Sequence, residues 1–292
     1  MDNLQLFMHI YMYELETWLN QHFEEVLDIS FQSDEANTDR PLKEYLKHVI
    51  ETQCNCIMGF SNVEKLAICN DEKEAVTFPI LETIKAITIE KVLLPEDITP
   101  EIKELLRHKN NAVFTNPDIC LVVNIDGKEE FETIELKSTK SDAIPGSSVQ
   151  QITPDQWVVF VKHNISNAKI TTGKYLHAIN SKIQFPDRSP RPQVSFSELE
   201  SWNENCRFVF EDTVAYNSRG EDSLKYELLT DWQGVLAKRW ADIVFDDNPP
   251  RREPWFNNNL RKFILEFLND YDKMSPLQQK DYKHFLESII KE

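Results

Sequence analysis

An α/β fold with a central mixed β-sheet flanked by helices is predicted by three features of the sequence. Helical periodicity occupies both ends of the 292-residue chain, whereas the middle carries short β-branched apolar runs around an Asp-Gly pair. Hydrophobic residues at 41% and aromatic residues at 11% are typical of a globular protein. We expect a single domain over 1–292, with a mainly helical part at 1–110, a core sheet with loops at 111–192, and a helical part at 193–292.

The N-terminal part begins with an amphipathic helix over 4–23, where apolar side chains recur at steps of three and four residues. A second helix is predicted over 41–52, because a proline suits the first turn of a helix. The segment 82–94 mixes helix and strand signals, and both readings stay open. A short helix over 100–108 follows, with Thr99 as its N-cap.

A β-hairpin is predicted in the middle of the chain. Strands over 119–125 and 131–137 flank Asp126-Gly127, a pair that suits the positive φ angles of a type I′ turn. A two-residue turn at this place pairs Ile125 with Lys128 and thereby determines the register of both strands.

That register places Asp118 directly opposite Glu135, with Cβ atoms about 4.5–5.5 Å apart. The two-residue period of a strand puts Lys137 on the same face as Glu135. The alternate positions are all apolar and should face the core: Ile119, Leu121, Val123, Ile134 and Leu136.

Two facing carboxylates destabilise a sheet unless something compensates their charge, and a divalent hard cation such as Mg²⁺ does so. A neighbouring lysine can stabilise developing negative charge on a phosphoryl group. Asp118, Glu135 and Lys137 therefore predict a phosphodiester hydrolysis site. The alternative is a solvated strand face with an ordinary Glu–Lys contact.

The remaining elements follow in order. A short helix is predicted over 147–156, a buried strand over Trp157–Val161, and further strand over 170–183. Helical patterns then return over 196–203, 222–244, 256–271 and 276–290.

Composition excludes several classes of protein. The chain has six glycines and no GxGxxG, GxxxxGK[ST] or GxSxG motif, so we expect no nucleotide cofactor. It lacks the roughly 18–20 consecutive apolar residues that a transmembrane helix needs, so we expect no membrane partner. Five unevenly spaced cysteines favour a reducing, cytoplasmic location.

The motif around the hairpin resembles that of a known family. Pro117-Asp118, sixteen intervening residues and Glu135-Leu136-Lys137 are similar to the PD-(D/E)XK nuclease signature, most of all to that of type II restriction endonucleases. The stretch 138–151, a loop followed by a helix that carries hydroxyl and Gln side chains, and the strand Trp157–Val161 follow in the family's order. The resemblance covers about 116–163, less than a fifth of the chain, and implies a restriction-endonuclease-like core with N- and C-terminal helical elaborations.

The resemblance also implies an activity: Mg²⁺-dependent, sequence-specific cleavage of double-stranded DNA. Asp118 and Glu135 would bind the metal, the Leu136 carbonyl would complete its ligands, and Lys137 would be the catalytic lysine. A third acidic ligand from an early helix would be Glu44 or Glu51. A two-fold symmetric DNA site calls for a homodimer, and a restriction enzyme implies a cognate methyltransferase that protects host DNA.

The charge distribution is compatible with a DNA partner even though the net charge is −17. Residues 1–136 carry 11 basic and 27 acidic side chains, residues 137–192 carry 8 and 3, and residues 193–292 carry 13 and 19. Local charge governs phosphate binding, and the positive segment begins at the motif lysine. The side chains expected to contact DNA are Lys140, Ser147, Ser148, Gln150, Gln151, Lys174, Arg188, Arg191 and Gln193.

Two alternatives stay open. One is a repair or recombination nuclease of the same fold, which would cut structured or damaged DNA without a defined sequence. The other is a non-enzymatic, acidic protein-interaction module in which the Asp–Glu–Lys face is coincidental.

Overall fold

The computed structural model describes residues 1–29, 40–59, 62–69, 75–110, 117–145, 153–183, 192–217, 220–249 and 251–290. Its helices are α1 (Asn3–Gln21), α2 (Phe23–Leu27), α3 (Arg40–Thr52), α4 (Glu82–Lys85), α5 (Pro100–Asn110), α6 (Tyr175–Ala178), α7 (Phe196–Cys206), α8 (Gly220–Thr230), α9 (Trp232–Phe245), α10 (Trp255–Tyr271) and α11 (Pro276–Ile289). Its strands are β1 (Lys65–Cys69), β2 (Ala75–Pro79), β3 (Thr88–Leu93), β4 (Ile119–Ile125), β5 (Lys128–Thr139), β6 (Ala143–Pro145), β7 (Trp157–His163), β8 (Ala168–Lys174), β9 (Ile179–Ile183), β10 (Pro192–Ser195), β11 (Arg207–Phe210) and β12 (Thr213–Asn217).

The chain forms two compact units, Met1–Thr230 and Asp231–Glu292. The sequence analysis expects a single domain over 1–292, and this boundary lies inside its C-terminal helical part, 193–292. The first unit combines helices with mixed sheets, so the α/β class and its flanking helices are confirmed. No helix in the described ranges is both long and apolar enough to cross a membrane.

The central sheet has five strands in the order β3-β4-β5-β7-β8. Strands β5 and β7 are parallel, and the other neighbouring pairs are antiparallel. A parallel pair needs a long connection between its strands, here residues 140–156. The sheet is therefore mixed, as the sequence predicts.

The predicted hairpin forms with its predicted register. Asp126 and Gly127 have φ angles of +52° and +79°, as a type I′ turn requires. Ile125 pairs with Lys128, and the ladder continues without a shift to Ile119 and Ile134. The turn chemistry therefore determines which residues meet at the far end of the hairpin.

The main core lies on one face of the central sheet, against α1. That helix is apolar around most of its surface and buries ten side chains, which is typical of a helix enclosed by other elements. The five alternate hairpin residues predicted to face the core belong to this cluster: Ile119, Leu121, Val123, Ile134 and Leu136. Their neighbours along the strands, including Glu135 and Lys137, therefore point to the opposite face.

Several elements differ from the sequence prediction for local reasons. The ambiguous segment 82–94 contains both α4 and β3. The predicted helix over 222–244 is divided because Asp231 caps α9, its carboxylate accepting from Gly234 N–H at 3.1 Å. The strand predicted over 170–183 is interrupted by α6. Most of the helix predicted over 147–156 lies outside the described residues.

A second sheet adds strands that the sequence interpretation did not predict, in the order β11-β12-β1-β2. Strand β1 pairs in parallel with β12, from Lys65 with Thr213 to Cys69 with Asn217. Partners this distant along the chain leave no local pattern, which explains why the flanking parts appear only helical in the sequence. A third sheet has the order β6-β10-β9.

Candidate active site

Three predicted site residues lie together at the open end of the β4–β5 hairpin. Asp118 immediately precedes β4, and Glu135 and Lys137 follow one another on one face of β5. The regular ladder ends at Ile119 and Ile134, so Asp118 is one residue beyond it. The chain therefore brings these residues together through hairpin register, as predicted.

Asp118 is buried, with 6% of the residue exposed. Its Oδ2 atom accepts a hydrogen bond from Leu136 N–H at 2.9 Å, which places it between Glu135 and Lys137 along the chain. A carboxylate that accepts from the backbone is held in one orientation. This contact fixes Asp118 relative to β5.

Helix α3 contributes a residue that the sequence interpretation missed. Lys43 is 8% exposed, and its Nζ lies 2.7 Å from Asp118 Oδ1. Lysine is almost never buried unless it is paired, and Asp118 is its partner. The available signal was its position, because Lys43 lies three residues before the buried Leu46, on the apolar stripe of α3.

Glu135 and Lys137 form a second ion pair, with Lys137 Nζ 2.6 Å from Glu135 Oε1. Burial lowers the pKa of Lys137, but the nearby Glu135, Tyr175 and Asp118 raise it more, so that this pKa lies above its usual value. Lys137 is therefore an ammonium ion at neutral pH. In this state it stabilises anions and donates hydrogen bonds, and does not act as a base.

Apolar clusters border the site on the same sheet face. In the parallel pair, Glu135 and Lys137 lie beside Val158 and Phe160, which pack with Tyr175 and Phe196. On the other side, Cys120 and Val122 of β4 pack against Leu106 of α5, together with Leu93 and Ile98. These walls limit the access of water and strengthen electrostatic interactions within the site.

The two candidates for a third acidic ligand have other partners. Glu44 is exposed and pairs with Arg40 at 2.7 Å on the surface of α3. Glu51 accepts a hydrogen bond from Val92 N–H at 2.8 Å, beside β3. The α3 residue that contacts Asp118 is Lys43. Its side chain is basic, whereas the resemblance implies an acidic side chain from this helix.

The predicted DNA contacts are only partly described. Ser147, Ser148, Gln150, Gln151, Arg188 and Arg191 lie outside the described residues. Lys140 is exposed directly after β5, and Gln193 is half-buried on β10. Lys174 pairs with Trp157, with its Nζ 3.7 Å from the Trp157 ring centroid, so it lies on the core side of the sheet, opposite Glu135.

The chemistry of the donors fits Mg²⁺. Within the described part of the chain, no group of three or more His, Cys, Asp and Glu side chains is arranged to hold a metal. Mg²⁺ commonly takes only one or two protein carboxylates and completes its shell with water and phosphate oxygens. Asp118 and Glu135 supply two such carboxylates, each now neutralised by a lysine.

Comparisons with protein families, with curated proteins and with solved structures find no match for this chain. The site is therefore interpreted from its own residues and geometry.

Proposed function

We propose that this protein is a Mg²⁺-dependent endodeoxyribonuclease of the type II restriction class, which hydrolyses phosphodiester bonds in double-stranded DNA at a defined sequence. The observation that supports it is the cluster of Asp118, Glu135 and Lys137, whose side chains are at most 12% exposed, at one end of an apolar hairpin. Burying such charges is costly, and buried ionisable clusters are concentrated at functional sites.

Each residue has a role that follows from its position. Asp118 and Glu135 offer hard oxygen donors for Mg²⁺, with the Leu136 carbonyl as a further donor. When bound, the cation supplies positive charge that stabilises the phosphoryl oxygens as negative charge develops on them. Lys137, whose ammonium group lies beside Glu135, orients the attacking water and stabilises the same charge.

The DNA partner is proposed from charge distribution. The net-positive segment 137–192 begins at Lys137, and exposed Lys140 lies three residues further along the chain. A homodimer would cut both strands of a symmetric site, and a cognate methyltransferase would protect host DNA, in the cytoplasm.

The test is cleavage of methylation-free plasmid DNA with and without Mg²⁺. We expect discrete fragments from the wild type and a rate at least about 100-fold lower for Asp118→Asn, Glu135→Ala and Lys137→Ala. Glu130→Ala and Lys128→Ala are matched controls, because both residues are exposed on the same hairpin. Circular dichroism of each variant checks that it is folded.

The outcomes separate the alternatives. Mg²⁺-dependent cutting without discrete bands favours a repair or recombination nuclease of the same fold. Undiminished cutting by both Asp118→Asn and Lys137→Ala contradicts the site. The absence of cutting on any such DNA favours a protein-interaction module.

A further inference from the structure

Both oxygens of Asp118 already have partners within the protein. Leu136 N–H donates to Oδ2 at 2.9 Å, and the Lys43 ammonium lies 2.7 Å from Oδ1. The side chains of Lys43 and Asp118 are only 11% and 8% exposed, so water solvates neither charge well. A buried carboxylate needs a compensating positive charge, and Lys43 supplies it.

We infer that Lys43 is a built-in counter-ion that competes with the divalent cation for Asp118. This inference rests on the proposed function, which requires the cation. Lys43 pairs with Oδ1, the oxygen that does not accept from the Leu136 backbone. Two positive charges close to one oxygen repel one another strongly in a poorly solvated site, so the ammonium must move before Oδ1 can accept a cation.

The side chain of lysine can make this movement. Its four-carbon stem has several rotatable bonds and ends in a compact charge, whereas arginine presents a rigid planar group. Lys43 extends from α3, a different element from the hairpin that carries Asp118. Its ammonium can therefore leave Asp118 without disturbing the β4–β5 register.

A matched control lies one turn further along the same helix. Lys47 pairs with Asp97 at 3.1 Å, and these side chains are 27% and 39% exposed. Changing Lys47 to methionine removes one ammonium from α3, as the change at Lys43 does. Any effect that depends only on the charge of the helix would therefore appear in both variants.

The experiment is calorimetric titration of the full chain with MgCl₂ in the absence of DNA. We expect Lys43→Met and Lys43→Gln to bind Mg²⁺ with a Kd about tenfold lower or more, because the competing ammonium is gone. Lys47→Met should bind as the wild type does. Thermal unfolding gives a second readout: Mg²⁺ should raise the Tm of Lys43→Met more than that of the wild type.

Lys43→Gln keeps an amide donor for Oδ1, so it carries the test if Lys43→Met does not fold without Mg²⁺. An equal Kd in all proteins, a higher Kd in the Lys43 variants, or no binding by any protein overturns the inference. Equal affinities together with Asp118-dependent cleavage would reject the competition and keep the nuclease. Tighter binding by the Lys43 variants without any cleavage would reject the nuclease and keep the competition.

Discussion

The two ends of the β4–β5 hairpin carry the same three-residue pattern, an acidic residue, any residue and lysine, in opposite surroundings. Asp126 and Lys128 at the turn are exposed, whereas the side chains of Glu135 and Lys137 at the open end are 12% and 9% exposed. Exposed ion pairs contribute little and are strongly solvated. The open end therefore differs from the turn in its burial and in the presence of a third element, α3, which brings Lys43 to Asp118.

The largest expected effect is on stability at the buried end. Asp118→Ala removes the partner of Lys43 and the acceptor of Leu136 N–H, and we expect a loss of about 3–5 kcal/mol in the free energy of unfolding. At the exposed end, Asp126→Asn should change it by less than about 0.5 kcal/mol, since asparagine also tolerates positive φ. Urea denaturation without divalent cations measures both. Equal losses of unfolding free energy in Asp118→Ala and Asp126→Asn would show that the two ends of the hairpin do not differ energetically.

A smaller effect concerns the coupling energy between Lys43 and Asp118. Replacing both partners in Lys43→Met/Asp118→Leu leaves no buried charge unpaired. We expect the double variant to be more stable than the sum of the single losses predicts, by about 2 kcal/mol. A double-mutant cycle by urea denaturation measures this coupling energy. Additive losses would show that the two charges do not depend on one another.

The hairpin could be predicted from the sequence because its information is local. Asp126-Gly127 determines the turn, the turn determines the register, and the apolar alternation determines the face. These three steps alone predict the positions of Asp118, Glu135 and Lys137. They do not predict the pKa of Lys137, which burial lowers and Glu135, Tyr175 and Asp118 raise.

Lys43 and the second sheet could not be predicted in the same way. The apolar stripe of α3 indicates that Lys43 is buried, but it does not indicate that α3 packs beside β3 and reaches Asp118, 75 residues later in the chain. The parallel pairing of Lys65 with Thr213 likewise joins distant segments. Such contacts result from packing of the whole unit, and single-sequence periodicity does not encode them.

The smallest expected effect concerns the turn. Gly127→Ala should cost about 1 kcal/mol, because Gly127 has a φ of +79° and a Cβ there would meet no atom within 4 Å, so the cost is backbone strain alone. Gly59→Ala, at a φ of +72° with the same open space, is the matched control and should cost about as much. Urea denaturation gives the stability, and plasmid cleavage should keep its wild-type rate. If Gly127→Ala kept its stability but lost cleavage, the turn would belong to the site. The proposal that only the open end of the hairpin takes part in cleavage would then be wrong.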